Sequence, residues 1–325
     1  MGQPMGTLKL WSDELDAMRP EARAVVAAQI GLLPDFRNDG RRTLAEQVAR
    51  DRAACEQGYL PVAEAVEQTI AGVRCRVFRP SKPARAVYLH FHGGGMTAGA
   101  PVMMDFQNRG LSRDHDLVVV SVGYRRAPEH PWPAGPDDGV AVAGWLLEHA
   151  RSEFGTSRLL IGGESAGAYL TAAVALRIRD DLDAIDRVAG LNLINGVFDW
   201  GASPSARGLR PDDGPDILDP AATFLMNECF LPGMTDDERR APHISPGYAD
   251  LHALPPCFLT TGTCDHCIDD TLLFATRATA AGVEVELFVA PDMPHAFMIF
   301  DCAMTRRWIE TQAAWLEARL TQPAR

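Results

Sequence analysis

From residue 73 to residue 320, short apolar runs alternate with segments of helix length, and this alternation limits the fold more than any other feature. Residues 73–78 alternate polar and apolar side chains, as a half-buried strand does. Residues 86–91, 117–122, 159–162, 188–194, 257–261 and 283–289 are short apolar stretches that read as strands. Between and after them, residues 136–150, 166–179, 269–281 and 303–320 carry helical patterns. Apolar strands that alternate with helices predict an α/β fold, with a mostly parallel central sheet flanked by helices.

Two segments break the rhythm. Residues 11–56 read as helices: Pro20 suits a first helical position, and Val25, Val26 and Ile30 follow at helical spacing. Thr43-Leu44-Ala45-Glu46 has the form of a capping box and opens a second helix to about Cys55. From Phe198 onward, Pro and Gly are dense. Asp219-Pro220 and Thr235-Asp236-Asp237-Glu238 offer starts for short helices only. The expected division is N-terminal helices at 1–60, a core in two parts at 61–197 and 256–325, and an insertion at 198–255. A long irregular insertion in an α/β domain usually forms a lid or binding element.

The chain has 325 residues, enough for one large α/β domain with a lid. Its net charge of −12 gives no electrostatic reason to hold nucleic acid or an anionic membrane. No apolar run reaches the ~18 residues of a membrane helix, and residues 1–10 lack a leader pattern. The seven cysteines are an odd number and widely scattered, which points to reduced thiols in a cytoplasm.

Gly163-Glu164-Ser165-Ala166-Gly167 follows a strand and precedes a helix. Glycines on both flanks permit a sharp strand-to-helix turn that exposes a nucleophilic hydroxyl at Ser165. His92-Gly93-Gly94-Gly95 follows the strand 86–91, and its glycines let backbone N–H groups approach a ligand. Such donors, with the N–H of Ala166, suit an oxyanion. A phosphate loop would end in Gly-Lys-Ser/Thr, whereas Met96-Thr97-Ala98 follows here.

A serine needs a base, and the base needs an acid. His295 follows a late strand and is the candidate base; His266 sits beside the acid candidate, and His90 lies inside a strand. Asp265 follows the strand 257–261 and is the first choice for the acid. Asp269 and Asp270 stand where a helix should begin, and complementing its dipole is the role expected of them. Cys264-Asp265-His266-Cys267 also spells C-x-x-C, so a thiol redox pair or half of a metal site is the competing chemistry. No second pair of ligands with zinc-like spacing accompanies it.

Taken in order, these motifs resemble the hormone-sensitive-lipase-like carboxylesterases, bacterial family IV of the α/β-hydrolase fold. The similarity spans roughly residues 65–320. It rests on the 92–95 glycine motif, on Tyr124-Arg125-Arg126-Ala127-Pro128-Glu129-His130-Pro131-Trp132-Pro133-Ala134, on the 163–167 motif, on Asp265 with Asp269-Asp270, and on His295-Ala296-Phe297. The resemblance implies nucleophile Ser165, acid Asp265 and base His295, with oxyanion donors at Gly94, Gly95 and Ala166. It makes His92, Gly93 and Glu164 supporting motif positions. It implies that residues 11–56 and the insertion form a helical cap, and that no cofactor or metal is required. The segment 124–134 buttresses the glycine loop. This chain departs from the family at Arg126 (usually Leu), Met96 (aromatic), Ala168 and Ala296 (Gly) and Cys267 (Leu).

The expected function is hydrolysis of short-to-medium acyl esters of small molecules through an acyl-enzyme. An amidase, lactonase or natural-product deacetylase would use the same groups. A binding protein on this fold would be expected to lose part of the triad. The expected partner is a small-molecule ester, without nucleic acid or membrane; a homodimer is left open.

Overall fold

The computed structural model describes residues 9–33, 40–56, 59–210, 214–218 and 220–321. The strands are β1 (Val66–Ile70), β2 (Val73–Phe78), β3 (Ala86–Phe91), β4 (Leu117–Val122), β5 (Leu159–Glu164), β6 (Val188–Ile194), β7 (Cys257–Gly262) and β8 (Val285–Ala290). They form one sheet in the order β1-β2-β4-β3-β5-β6-β7-β8. The β1–β2 and β2–β4 pairs are antiparallel, and all the others are parallel. The helices are α1 (Asp13–Gln29), α2 (Leu44–Glu56), α3 (Asp105–His115), α4 (Ala134–Phe154), α5 (Ala166–Asp180), α6 (Pro220–Phe230), α7 (Asp236–Arg239), α8 (Ile268–Ala280) and α9 (Ala303–Thr321).

The period of two along each strand sorts the core into two layers. Val87, Leu89, Phe91, Val118, Val120 and Val122 point into a cluster with α4, α5 and α8. Their neighbours Ala86, Tyr88, Leu117 and Val119 point into a second cluster with α1 and α9. Both faces are therefore buried, which is why these strands read as unbroken apolar runs. Each fully buried Val, Leu or Phe contributes about 1.5–3 kcal/mol by leaving water.

Three local expectations are corrected. Pro20 does not open a helix: Ser12 caps α1, accepting the Leu15 N–H at 3.3 Å, and Pro20 lies inside it. Pro20 is exposed, so the Asp16 carbonyl that it leaves without a helical donor lies where water can serve it. Strand β1 has no apolar signature because it is a five-residue edge strand with Val66, Glu67 and Thr69 not buried. Helix α3 was hidden because its buried face is polar: Asp105, Asn108 and Ser112. There Asp105 accepts Arg76 Nε at 2.7 Å, and Asn108 Nδ2 lies 3.3 Å from His90 Nδ1.

Both capping boxes are present: Thr43 Oγ1 accepts the Glu46 N–H, and Thr235 Oγ1 accepts the Glu238 N–H. Asp219 lies outside the described residues, as do residues 1–8, on which the expectation of no leader fell. Among the described residues, no helix is long and apolar enough to cross a membrane.

The helices outside the α/β alternation take separate places. The apolar stripe of α1 (Leu15, Ala22, Val26) packs with α9 and the loop after β8, and Arg19 and Arg23 pair with Asp292 in that loop. Arg52 of α2 donates to the carbonyls of Thr97 at 2.8 Å and Ala127 at 2.9 Å, clamping the segment after the glycine motif. The insertion carries α6 and α7 and meets the sheet's carboxyl edge.

Candidate active site

Ser165 stands at the turn between β5 and α5, with φ 57° and ψ −120°. A non-glycine residue held there is strained, and that backbone is what lifts its side chain out of the sheet end. The turn closes only because its neighbours are small. A Cβ on Gly167 would stand 1.9 Å from the Phe91 carbonyl oxygen, so α5 can press directly onto the end of β3.

The parallel strands bring the other groups to the same edge, where ligands meet such sheets. Asp265 follows β7 and His295 follows β8. Ser165 Oγ lies 2.9 Å from His295 Nε2, and His295 Nδ1 lies 2.8 Å from Asp265 Oδ1. With an ionised Asp265 as acceptor, Nδ1 carries the proton and Nε2 presents a lone pair to the serine hydroxyl. Asp265 is fully buried. Burial alone would raise its carboxyl, but the charge and hydrogen bond of His295, the charge of His266 and the Cys267 N–H outweigh this and hold it well below the usual range. The Cys267 N–H reaches Oδ1 at 2.8 Å; Asn195 Nδ2 donates to Oδ2, and Thr261 Oγ1 lies 3.3 Å from the same atom. Ala296, next to the imidazole, takes a left-handed conformation with φ 53°.

The glycine motif faces the serine. Gly94 has φ +123°, and a Cβ there would lie 2.1 Å from the Ala98 carbonyl oxygen, so only glycine makes this turn. Among the described residues, no hydrogen bond is made by the N–H groups of Gly94, Gly95 or Ala166, the last being the first amide of α5. Three free amides beside a nucleophile can hold an oxyanion.

His92 is buried and donates from Nδ1 to the Gly93 carbonyl at 2.7 Å. Burial pushes its imidazole down to about 3, so it is a neutral brace. Tyr124 stacks on it at 4.2 Å and donates to its carbonyl at 2.7 Å; the Ala127 N–H donates to the Met96 carbonyl at 2.9 Å. The 124–134 segment therefore does lie against the glycine loop. Glu164 pairs with His90 Nε2 at 3.0 Å.

The remaining candidates have other partners. Asp269 accepts the Ser205 N–H at 2.8 Å, and Asp270 accepts the N–H groups of Phe198 and Asp199, each at 2.8 Å. Both lie in the first turn of α8, as expected for its dipole, yet they also bind the insertion. Burial pushes Asp270 up to about 7 against its hydrogen bonds. Side chains of Asp265, His266, Cys267 and His295 bring potential metal-ligand atoms within 4.8 Å of one another. A metal held by His295 Nδ1 and Asp265 Oδ1 would break the hydrogen bond between them. Cys264 does not join this group, so the C-x-x-C motif supplies it with one sulfur, and burial pushes that thiol well above its usual range.

A small cavity of about 30 Å³, partly open to solvent, lies beside Ser165 and Gly95. The insertion lines most of it, with Trp200, Ala206, Leu218 and Met226, next to Val197 of the core; His266 and Asp270 add polar atoms. Among the described residues, none from α1 or α2 lines it, and the apolar stripe of α1 packs with α9.

Sequence reasoning missed Asn195 and Asp216. Asn195 follows β6, the strand next to β7, so its place at the carboxyl edge was a usable signal. Asp216 sits in an irregular segment and offers none.

The family model of the α/β hydrolase fold matches residues 88–299. The carboxylesterase NlhH of Mycobacterium tuberculosis is 36% identical over 222 residues, covering 66% of this chain and 67% of that protein. An acetyl-hydrolase of Streptomyces hygroscopicus is 30% identical over 278 residues, covering 83% of this chain and 88% of that one. A solved hormone-sensitive lipase from a metagenome library superposes with a TM-score of 0.76 at 29% identity, covering 93% of this chain and 98% of that one.

Proposed function

This chain belongs to the α/β-hydrolase fold family and is a hormone-sensitive-lipase-like carboxylic ester hydrolase, and from that premise we propose that Ser165, His295 and Asp265 are its triad. Ser165 Oγ attacks the ester carbonyl while His295 Nε2 takes its proton. The tetrahedral oxyanion rests on the amides of Gly94, Gly95 and Ala166; losing one such donor costs about 2.7–4 kcal/mol of barrier in a comparable site. His295 returns the proton to the leaving alcohol, and water repeats the cycle on the acyl-enzyme. Asp265 fixes the imidazole tautomer and stabilises the imidazolium.

The observation that carries this reading is the unbroken series Ser165–His295–Asp265, at 2.9 and 2.8 Å, beside three unbonded amides. The division into a core at 61–197 and 256–325, with a cap from 1–60 and 198–255, is part of the same proposal. The insertion supplies the roof of the cavity, and α1 and α2 brace the loops beneath it. A cavity this small favours the short end of the short-to-medium acyl range. Relatives named acetyl-hydrolase and acetyl esterase favour the short end. The odd, scattered cysteines suit a reducing, cytoplasmic setting.

Turnover of p-nitrophenyl esters across acyl lengths, with matched anilides, tests the reading. The shortest acyl groups should be preferred and anilides cleaved far more slowly. Ser165→Ala should lower kcat about a million-fold, as loss of a triad nucleophile does elsewhere. A purified Ser165→Ala enzyme retaining about a tenth of kcat would remove Ser165 from the mechanism, and activity confined to anilides would make the substrate an amide.

A further inference from the structure

Asp216 lies in the insertion, yet its carboxylate holds both loops that carry His295 and Asp265. Its Oδ1 accepts the backbone N–H of His295 at 3.1 Å. Its Oδ2 accepts the backbone N–H of His266 at 3.0 Å and the His266 Nδ1–H at 2.9 Å. The His266 ring lies 4.5 Å from the His295 ring, tilted by 44°, and lines the cavity beside Ser165. The serine mechanism makes no use of this second imidazole–carboxylate couple.

We propose that Asp216 and His266 form a buried ion pair that positions the loops of the triad and cancels its own charge there, leaving Asp265 alone to oppose the imidazolium formed at His295. Both members are positioning residues, and the proposal rests on the triad assignment above.

The charged and titratable groups around His266 come from three segments. The insertion contributes Asp216, with Arg210 Nη1 3.8 Å from that carboxylate, and Asp199, which lines the same cavity. The stretch after β7 contributes Asp265, whose Oδ1 is 3.6 Å from His266 Nδ1, together with Cys267 and Asp270. The loop after β8 contributes His295. Burial alone would drive His266 neutral. The charge and hydrogen bond of Asp216, joined by Asp265 and Asp270, outweigh burial and raise the imidazole above its usual range. Burial likewise acts to raise Asp216, and the charge and hydrogen bond of His266 outweigh it and hold the carboxyl low. Both therefore favour their charged forms. A lone Asp216 carboxylate would hold the proton on His295 too firmly, and a lone His266 cation would repel it.

The test is kcat/KM on a short p-nitrophenyl ester from about pH 4 to about pH 9, a range that spans imidazole titration. It compares wild type, His266→Gln, Asp216→Asn and the double variant. Gln keeps an N–H for Asp216, and Asn keeps one acceptor oxygen, enough for the His295 amide. His266→Gln leaves only Arg210, at 3.8 Å, to oppose the carboxylate and should move the acid limb up by about 1 pH unit. Asp216→Asn should not move it upward, and the double variant should return toward wild type. Asp216→Ala strips the acceptor from the His295 amide and should lower kcat about 10–100-fold, with KM little changed.

Acid limbs that coincide in all four proteins, or rise equally in both single variants, would overturn the proposal. Active Ser165→Ala would sink the triad assignment itself. Inactive Ser165→Ala beside an unmoved limb in His266→Gln would sink the ion pair alone.

Discussion

Around Ser165 the chain is positioned by its own backbone. The β5–α5 turn is strained and tight, Gly94 turns where no side chain fits, and Gly167 lets a helix touch the end of a strand. Around residues 198–255, positioning falls to charged side chains. Asp269 and Asp270 receive three insertion amides, Asp216 receives His266, and Asp199 accepts Tyr248 Oη at 2.9 Å and Arg240 Nε at 3.3 Å. The first region is fixed by steric limits that pH and salt do not change. The second is fixed by ionisable groups, buried deeply enough that salt screens them little. A rigid serine turn is thus paired with a cavity wall whose hold depends on protonation.

The sharpest test of this contrast compares two carboxylates four residues apart. Asp265→Asn should lower kcat about ten-thousandfold, because the imidazole is then held in the wrong tautomer. Asp269→Asn should stay within about tenfold of wild type, since an Asn oxygen still accepts the Ser205 amide. Steady-state kinetics of both variants decide it, and a reversed ranking would move the acid to Asp269.

Asp270 should separate the regions by stability. Its folded value of about 7 lies above that of an unfolded Asp. The folded chain therefore holds this proton more tightly, and the group's contribution to folding is lost as pH rises from about 4 through about 7. Asp270→Asn keeps the acceptor and removes the titration. Relative to wild type, its Tm should improve between about pH 4 and about pH 7. A constant Tm difference would mean that Asp270 is ionised throughout.

The Asp216–His266 pair should give a smaller effect with a defined window. Its imidazole is raised, so that contribution is complete below about pH 6.5 and fades as pH climbs through the folded value. Its carboxylate is lowered, so that contribution is complete above about pH 4 and fades as pH falls. Wild-type Tm, compared with the double variant, should show its largest advantage between these limits. An advantage that is flat with pH would make the pair a packing feature only.

Ala296→Gly should give the smallest change. Relief of the left-handed strain, about 1–2 kcal/mol, is partly offset by glycine's entropy of about 0.5–1 kcal/mol. A gain of about 0.5–1 kcal/mol in denaturant unfolding is expected. A loss would show that the Ala296 methyl contributes packing beyond its strain.

The backbone-governed region was the legible one. Strands β3, β4 and β6 begin and end where their apolar runs do, because burial on both faces leaves an unbroken signal. The proposed Ser165, Asp265 and His295 rest on local features that a sequence displays, turn chemistry and strand ends, and the structure brings the three side chains together. The charge-governed region was not legible. Nothing near Asp216 in sequence marks His266, about fifty positions on, as its partner. Helix α3 stayed hidden for a related reason: it buries Asp105 against Arg76 rather than an apolar stripe. The helical spacing in residues 11–30 predicts a covered face, and α1 buries it against α9; periodicity reveals that a surface is covered and not what covers it.

The carboxylates of the first turn of α8 also bear on inheritance. The receivers of the insertion are not in the insertion; they stand at Asp269 and Asp270, with His266 just before them. Recombination that exchanged 198–255 alone between related genes would deliver amides and a carboxylate shaped for another receiver. The two stretches should therefore diverge together, and a library meant to re-engineer acyl preference should vary 198–255 and 265–270 as one linked unit.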